Sequence, residues 1–145
     1  MTDLGHVGSF RELLVYQKAR KLAGEVFKLS QGFPKGEMYS LTDQIRRSSR
    51  AVGAQIAEAW AKRRYERHFI SKLTDADGEQ QETQHWLEIA LDCGYINPGD
   101  KKVLQDLCQE IGKMLASMIM KASQFCGEPA QVRETSPEYF TIDNC

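Results

Sequence analysis

The sequence lacks the features that mark several large classes of protein. It has no run of about 18 apolar residues, so we expect no membrane-spanning helix and no membrane partner. The first ten residues, MTDLGHVGSF, have no basic region followed by an apolar stretch. No secretory signal is therefore predicted, and a cytoplasmic protein is expected. No β-rich segment of alternating apolar and polar residues is present, which argues against a strand-based fold.

Cysteine and histidine are too scattered for a clear catalytic or metal site. The four cysteines lie at positions 93, 108, 126 and 145 and include no Cys-x-x-Cys pair, so a zinc site is not expected. Cys93 and Cys108 are predicted to fill the core, and Cys145 to be a free thiol. The three histidines give no convincing triad, and no glycine pair has the Lys-Ser/Thr ending of a phosphate loop. We therefore predict no catalytic residue, no metal and no cofactor.

One motif keeps a chemical alternative open. Glu82 and His85 form a Glu-x-x-His motif on a predicted helix, a spacing that di-iron bundles use in two copies. The second copy is missing, because neither His6 nor His68 follows a glutamate by three residues. We interpret His85 as a residue on the helix flank beside Trp86, and keep a metal protein or enzyme built on this motif as the third hypothesis.

What the sequence does have is four long segments with the apolar spacing of helices. The predicted helices begin at Ser9, near Ser40, near Arg67 and at Pro98, and a turn near 62–66 separates the second from the third. Two capping boxes are expected, Ser9 with Glu12 and Ser40 with Asp43. The fourth helix is predicted to run on through Ala122 and Phe125, to a stop at Gly127 and Pro129.

Four helices with short connections predict an all-α fold, an antiparallel up-down-up-down four-helix bundle. The bundle is expected to span residues 9–127. Residues 1–8 are predicted to form a flexible N-terminus. Residues 128–145 carry a net charge of -3 and are predicted to form a mobile or partner-docked acidic tail.

The first and second helices each carry an extra face that a single bundle does not need. On the first helix it is apolar, and on the second it consists of small residues that would let another backbone approach closely. These faces predict a homo-oligomer, with the interface residues Tyr16, Ala23, Phe27, Gly53, Ala54, Ala57 and Ala61. The alternative is chance, since alanine is the best helix former and suits any surface.

Positive charge is concentrated in the second helix and the turn after it. Between Gln44 and His68 there are seven basic residues and two acidic ones, although the net charge of the chain is -1. Such a patch predicts a polyanion or an acidic partner surface. The candidate nucleic-acid-binding residues are Arg46, Arg47, Arg50, Lys62, Arg63, Arg64 and Arg67. Acids of the third helix, such as Asp75 and Glu79, offer an alternative in which the charge is neutralised within the assembly.

Two aromatic residues, Trp60 and Tyr65, lie next to the basic residues of the turn. Either ring could stack on an unpaired base. Trp60 falls at the edge of the apolar stripe of its helix, and we interpret it as a core residue.

Several stretches together resemble one known family. They are LLVYQKARKLA at 13–23, FPKGEMYSLTDQIRRS at 33–48, AQIAE at 54–58 and the ETQ…ALDCGYI region at 82–96. The sequence is similar to the bacterial four-helix-bundle proteins first noticed as products of intervening sequences inside large-subunit ribosomal RNA genes. It departs from their usual pattern at Gly53, where the family has a proline, and at Ala59, where it has a glycine.

The resemblance implies a four-helix bundle and, as in relatives of known structure, a five-membered ring. It also implies similarity to the accessory protein of diversity-generating retroelements, a pentameric barrel that binds reverse transcriptase and nucleic acid through basic surfaces. The first hypothesis is therefore a non-enzymatic pentamer that binds RNA, DNA or a nucleic-acid-processing protein. The second is a protein-interaction scaffold whose basic residues mainly serve subunit assembly or an acidic protein partner.

Overall fold

The computed structural model describes residues 8–127, which contain five α-helices and no strand. The predicted N-terminal segment, except Gly8, and the predicted acidic tail lie outside the described residues. Two 3-10 turns, at Phe10–Glu12 and Lys35–Glu37, precede the first two helices. The helices are α1 (Leu14–Ser30), α2 (Leu41–Ala61), α3 (Glu66–Asp92), α4 (Pro98–Met120) and the short α5 (Ala122–Phe125).

The four long helices form a closed cycle of neighbours. Helix α2 packs on α1 and α3, and α4 packs on the same two helices from the other side. Each long helix contributes one buried stripe at helical spacing, which confirms the all-α prediction. The largest fully buried side chains are Leu13, Leu22, Ile45, Ile56, Phe69, Leu73, Leu87, Ile111, Leu115, Met118 and Phe125.

Helix α1 begins five residues later than predicted. The Ser9 hydroxyl does act as a cap, accepting the N–H of Arg11 at 3.2 Å, but the element that it caps is the 3-10 turn. Leu13 then adopts an extended conformation with φ -73° and ψ 132°, which separates that turn from α1. The extended residue places the Leu13 side chain in the core, 1% exposed. Burial of this leucine takes precedence over a continuous helix from Ser9.

The loop before α2 is held by the Glu37 carboxylate, and the second predicted capping box is absent. Glu37 accepts the hydroxyls of Ser40 at 2.5 Å and of Tyr95 at 2.8 Å, and the N–H of Leu41 at 3.4 Å. The Ser40 and Tyr95 hydrogen bonds lower the pKa of Glu37. Asp43 instead lies 3.8 Å from Arg47. The FPKGE stretch therefore fastens the α1–α2 loop to the α3–α4 loop.

The predicted start of a helix at Pro98 is confirmed, and the loop before it has the expected local chemistry. Gly94 has φ +75°, the left-handed conformation that glycine supplies after a helix. Asn97 caps α4, its side-chain oxygen accepting the N–H of Asp100 at 2.7 Å, and Pro98 takes the first helical position.

The last predicted helix is broken in two. Lys121, with φ -108° and ψ 26°, interrupts the helical conformation after Met120, and α5 starts at Ala122. The interruption turns Phe125 onto Phe69 of α3, with ring centroids 5.8 Å apart. Both rings are fully buried, so α5 completes the core at this end of the molecule.

The cysteine predictions are confirmed in part. Cys108 is fully buried, and burial raises the pKa of its thiol to about 12. Cys93 was expected in the core but is exposed, because it follows the last residue of α3 and precedes the turn at Gly94. Cys145 lies outside the described residues.

None of the helices within residues 8–127 has the length and apolar character needed to cross a bilayer.

Candidate nucleic-acid interface

The turn between α2 and α3 spans residues 62–65, as predicted from the sequence. The Lys62 N–H donates to the carbonyls of Glu58 and Ala59 at 3.1 and 3.0 Å, which closes α2. The Tyr65 N–H donates to the Lys62 carbonyl at 3.1 Å, and α3 begins at Glu66. Such a tight turn leaves little room inward for four long side chains, and three of them are exposed.

Arg63 is the one basic residue of this turn that the fold uses. Its guanidinium carbon lies 3.5 Å from the centroid of the Trp60 ring, and its Nε donates to the Trp60 carbonyl at 2.9 Å. The Arg63 carbonyl accepts the N–H of Gly127 at 3.0 Å, which ties the segment after α5 to the turn. Burial lowers the pKa of Arg63 without removing its charge. Trp60 is 7% exposed, so the prediction that it belongs to the core is confirmed.

Lys62, Arg64 and Arg67 are exposed and form what we call the basic end surface. None of the three makes an ion pair or a side-chain hydrogen bond within residues 8–127. Arg67 also lies in the first turn of α3, where the helix dipole disfavours a cation by about 0.3–1 kcal/mol. The chain thus keeps three positive charges that no acidic side chain of the described residues pairs with.

The other three predicted cations lie farther back along α2. Arg46 and Arg50 face α1, with guanidinium carbons 4.8 and 5.8 Å from the ring centroid of Phe27. Arg46 also donates from Nε to the buried Ser30 hydroxyl at 2.7 Å. Arg47 faces the other side of the helix and pairs with Asp43. At 1.5 Å per residue, Arg50 and Lys62 are about 18 Å apart along α2, so the seven cations do not form one patch.

Five of the seven predicted interface residues line one groove between α1 and α2. Its volume is about 300 Å³, and Tyr16, Ala23, Gly53, Ala54 and Ala57 line it. The sequence analysis missed Phe10, Ala19 and Arg20, which line it too, although Arg20 follows Tyr16 by one helical turn. No acidic side chain among residues 8–127 lines this groove. The remaining two predicted residues, Phe27 and Ala61, are exposed and lie outside it.

The family described as 23S rRNA-intervening sequence protein matches residues 11–117. The chain belongs to this family. The match includes the basic end surface and the α1–α2 groove except Phe10, whereas α5 lies beyond it.

A solved structure related to this 23S rRNA-intervening sequence protein has a similar fold. It is a protein of unknown function from the S23 ribosomal protein family of Bacteroides thetaiotaomicron VPI-5482. The two chains share 30% sequence identity with a TM-score of 0.67, and the alignment covers 73% of this chain and 98% of the other. A comparison with curated proteins found no match.

In this member of the 23S rRNA-intervening sequence family, several acids of α3 have partners other than the basic end surface. Glu88 pairs with Lys101 at 3.0 Å, and Asp77 accepts hydrogen bonds from two glutamines. The pKa of Glu79 is raised, first by burial and then by neighbouring carboxylates, and Arg47 opposes that shift. Within residues 8–127, Arg47 interacts electrostatically with Glu79 of α3, and no α3 carboxylate forms an ion pair with any of the three cations of the basic end surface.

The Glu-x-x-His motif is engaged in contacts within α3. The Glu82 carboxylate accepts the indole N–H of Trp86 at 3.1 Å, and the exposed His85 ring contacts the edge of Trp86 with centroids 4.7 Å apart. Within residues 8–127, no three side chains of His, Cys, Asp or Glu lie together as possible metal ligands.

Proposed function

We propose that this protein is a cytoplasmic, non-enzymatic homo-oligomer that binds nucleic acid through its basic end surface. The observation that carries the proposal is the set of three exposed, unpaired cations at the α2–α3 turn, Lys62, Arg64 and Arg67. Arg67 also opposes the dipole of its own helix. Phosphates are the ligands that such a surface suits best.

Within this proposal the four long helices form an antiparallel up-down-up-down bundle. Support comes from the contacts that join the connections between them. Tyr95, from the α3–α4 loop, bonds to Glu37 in the α1–α2 loop, while Gly127, after α5, bonds to Arg63 in the α2–α3 turn. The α1–α2 and α3–α4 loops therefore lie at one end of the helices, and the α2–α3 turn and the segment after α5 lie together at another. Helices of alternating direction require this arrangement.

A salt titration of the unmodified protein tests the binding proposal. For single strands, each neutralised phosphate contributes about -0.7 to the log–log slope of affinity against salt, so three cations predict about -2 for each engaged protomer. Fluorescence anisotropy with a labelled oligonucleotide between about 50 mM and about 200 mM salt measures that slope. An oligonucleotide that does not bind even at the lowest salt would overturn the proposal.

We further propose that a second copy of the chain packs in the α1–α2 groove and that the copies form a ring. The family resemblance implies that this ring has five members. The groove has an apolar floor of small residues that permit close approach, and Tyr16 and Phe10 add aromatic surface beside them. A ring needs a contact between two different surfaces, so this groove would be one half of that contact.

Gly53→Ala tests the groove as a subunit contact. Within one chain, a Cβ at Gly53 would meet Tyr16 Cε1 at 3.5 Å, an ordinary contact, so alanine should stabilise the helix by about 0.5–1 kcal/mol. Between subunits, the added methyl group should disturb close packing and shift sedimentation toward smaller species.

Gly78→Ala is the matched control for this test. Gly78 is an exposed α3 residue with nothing within 4 Å of its added Cβ, so this substitution should stabilise the helix and leave the assembly unchanged. If Gly53→Ala sediments like the unmodified protein, the groove is not the interface.

The second candidate function is a protein-interaction scaffold. It is favoured by Arg20 and Arg50, which line the α1–α2 groove and suit an acidic protein partner. A protein partner that stays bound in a pull-down after nuclease treatment would favour the scaffold, whereas loss of all partners on that treatment would favour nucleic acid.

A further inference from the structure

Tyr65 is an exposed aromatic residue that lies between the cations of the basic end surface along the chain. It lies between Arg64 and the first residue of α3, and its extended backbone, with φ -122° and ψ 112°, carries the chain from one helix to the next. The side chain is 57% exposed, and its hydroxyl makes no hydrogen bond within residues 8–127. The exposed His68 ring lies beside it, with centroids 5.5 Å apart.

The three cations lie close to Tyr65 along the chain. The Arg64 guanidinium carbon is 5.9 Å from the centroid of the Tyr65 ring. Lys62 and Arg67 are three residues before and two residues after the tyrosine. An aromatic ring with cations on both sides along the chain is the arrangement by which proteins hold single strands, with bases stacked on the ring and phosphates on the cations.

The two other aromatic rings beside the predicted cations, Trp60 and Phe27, already have guanidinium groups over them. Arg63 lies over Trp60 at 3.5 Å, and that ring is 7% exposed. The guanidinium groups of Arg46 and Arg50 lie over the ring of Phe27. Arg64 is the guanidinium group near Tyr65, at the longest of these distances, and the ring is 57% exposed, against 40% for Phe27.

We infer that Tyr65 is a stacking site for an unpaired base, so that the basic end surface binds single-stranded nucleic acid in preference to duplex. The inference rests on the proposed nucleic-acid binding and adds the class of ligand. Bases in a duplex are stacked on each other and cannot reach the tyrosine ring, whereas both duplex and single strand offer phosphates to the cations. The stacking contact is therefore available to the single strand alone.

The test compares a single-stranded oligonucleotide with the duplex of the same length by fluorescence anisotropy. The full chain is used, as Tyr65→Ala, Tyr65→Phe and Tyr39→Ala beside the unmodified protein. Tyr39 is the matched control, since it is 94% exposed and precedes α2 while Tyr65 follows it, about 30 Å away along the helix. Circular dichroism confirms that each variant is folded.

Tyr65→Ala should weaken single-strand binding about tenfold and leave duplex binding unchanged. Tyr65→Phe keeps the ring and should bind as the unmodified protein does, and so should Tyr39→Ala. A 2-aminopurine base in the single strand gives a second readout, because its emission is quenched when it stacks on the ring. That quenching should be lost in Tyr65→Ala.

The outcomes separate this inference from the proposed function. Equal affinity for single strand and duplex, with no effect of Tyr65→Ala, would overturn the stacking site and leave the basic end surface standing. Failure of the unmodified protein to bind either oligonucleotide would overturn both.

Discussion

Replacing Lys62, Arg64 and Arg67 together by glutamine should weaken binding to a single-stranded oligonucleotide about 500-fold at about 50 mM salt. Each phosphate contact on a single strand releases about 0.7 counterion, which corresponds to about eightfold in affinity at that salt concentration. Three such contacts multiply to a loss of about 500-fold in affinity. The log–log slope of affinity against salt should become less steep at the same time, changing from about -2 toward zero for each protomer.

The same triple variant should fold as well as the unmodified protein. The three side chains are exposed, and none has an ion pair to lose within residues 8–127. Removing Arg67 from the first turn of α3 relieves an unfavourable dipole contact, while removing Lys62 from the end of α2 loses a favourable one. We expect the free energy of unfolding to change by less than about 0.5 kcal/mol.

A control variant separates the local surface from the overall charge. Lys21, Lys35 and Lys113 are exposed lysines on α1, the α1–α2 loop and α4, and their replacement by glutamine removes the same number of charges. This control should keep most of the affinity. If it binds as weakly as the triple variant, net charge alone governs binding and the basic end surface has no special role. If the triple variant binds like the unmodified protein, the proposal is wrong.

The sequence locates the positive charge but does not show which side chains are free to bind a ligand. Arg63 and Arg64 are adjacent arginines, yet Arg63 lies over the Trp60 ring whereas Arg64 is exposed. That difference depends on where the chain turns after α2 and on the contact from Gly127, which is far away in sequence. Arg46 is likewise directed by Ser30, on another helix.

Apolar periodicity predicts the helices well because each long helix buries one stripe. The predictions that are wrong concern helix ends, where two local preferences compete. Ser9 has the sequence of a cap for α1, but burial of Leu13 separates it from the helix. Lys121 has no sequence signal for a break, and the helix is interrupted there because Phe125 packs on Phe69.

The small residues of α1 and α2 show the same limit of sequence analysis. Their helical spacing predicts that Gly53, Ala54 and Ala57 share a face, and they do line one groove. Spacing does not show that Tyr16 of the same chain already lies 3.5 Å from a Cβ placed at Gly53. The small residues therefore fit both a contact within the chain and a contact between copies, and the comparison of Gly53→Ala with Gly78→Ala separates the two.

Helix α5 lies beyond the region that matches the family, yet it closes the core at the end that carries the basic surface. Phe125 is fully buried and stacks on Phe69, and Cys126 beside it is 7% exposed. Burial raises the pKa of the Cys126 thiol to about 11, in keeping with a position inside the protein. The next residue, Gly127, bonds to the carbonyl of Arg63 in the α2–α3 turn.

Phe125→Ala should therefore destabilise the protein by about 3–5 kcal/mol, because it leaves a cavity against Phe69 and removes an aromatic pair. Urea denaturation at fixed protein concentration measures this loss. We also expect faster amide hydrogen exchange at residues 62–65, since the anchor of the turn is weakened.

Tyr39→Ala is the control for this substitution, since its ring is 94% exposed and its removal should change stability by less than about 0.5 kcal/mol. A loss below about 1 kcal/mol for Phe125→Ala would mean that α5 is only loosely attached, because typical surface substitutions cost no more than that. A large loss of stability together with faster exchange at the turn would place α5 in the core and make it the support of the basic end surface.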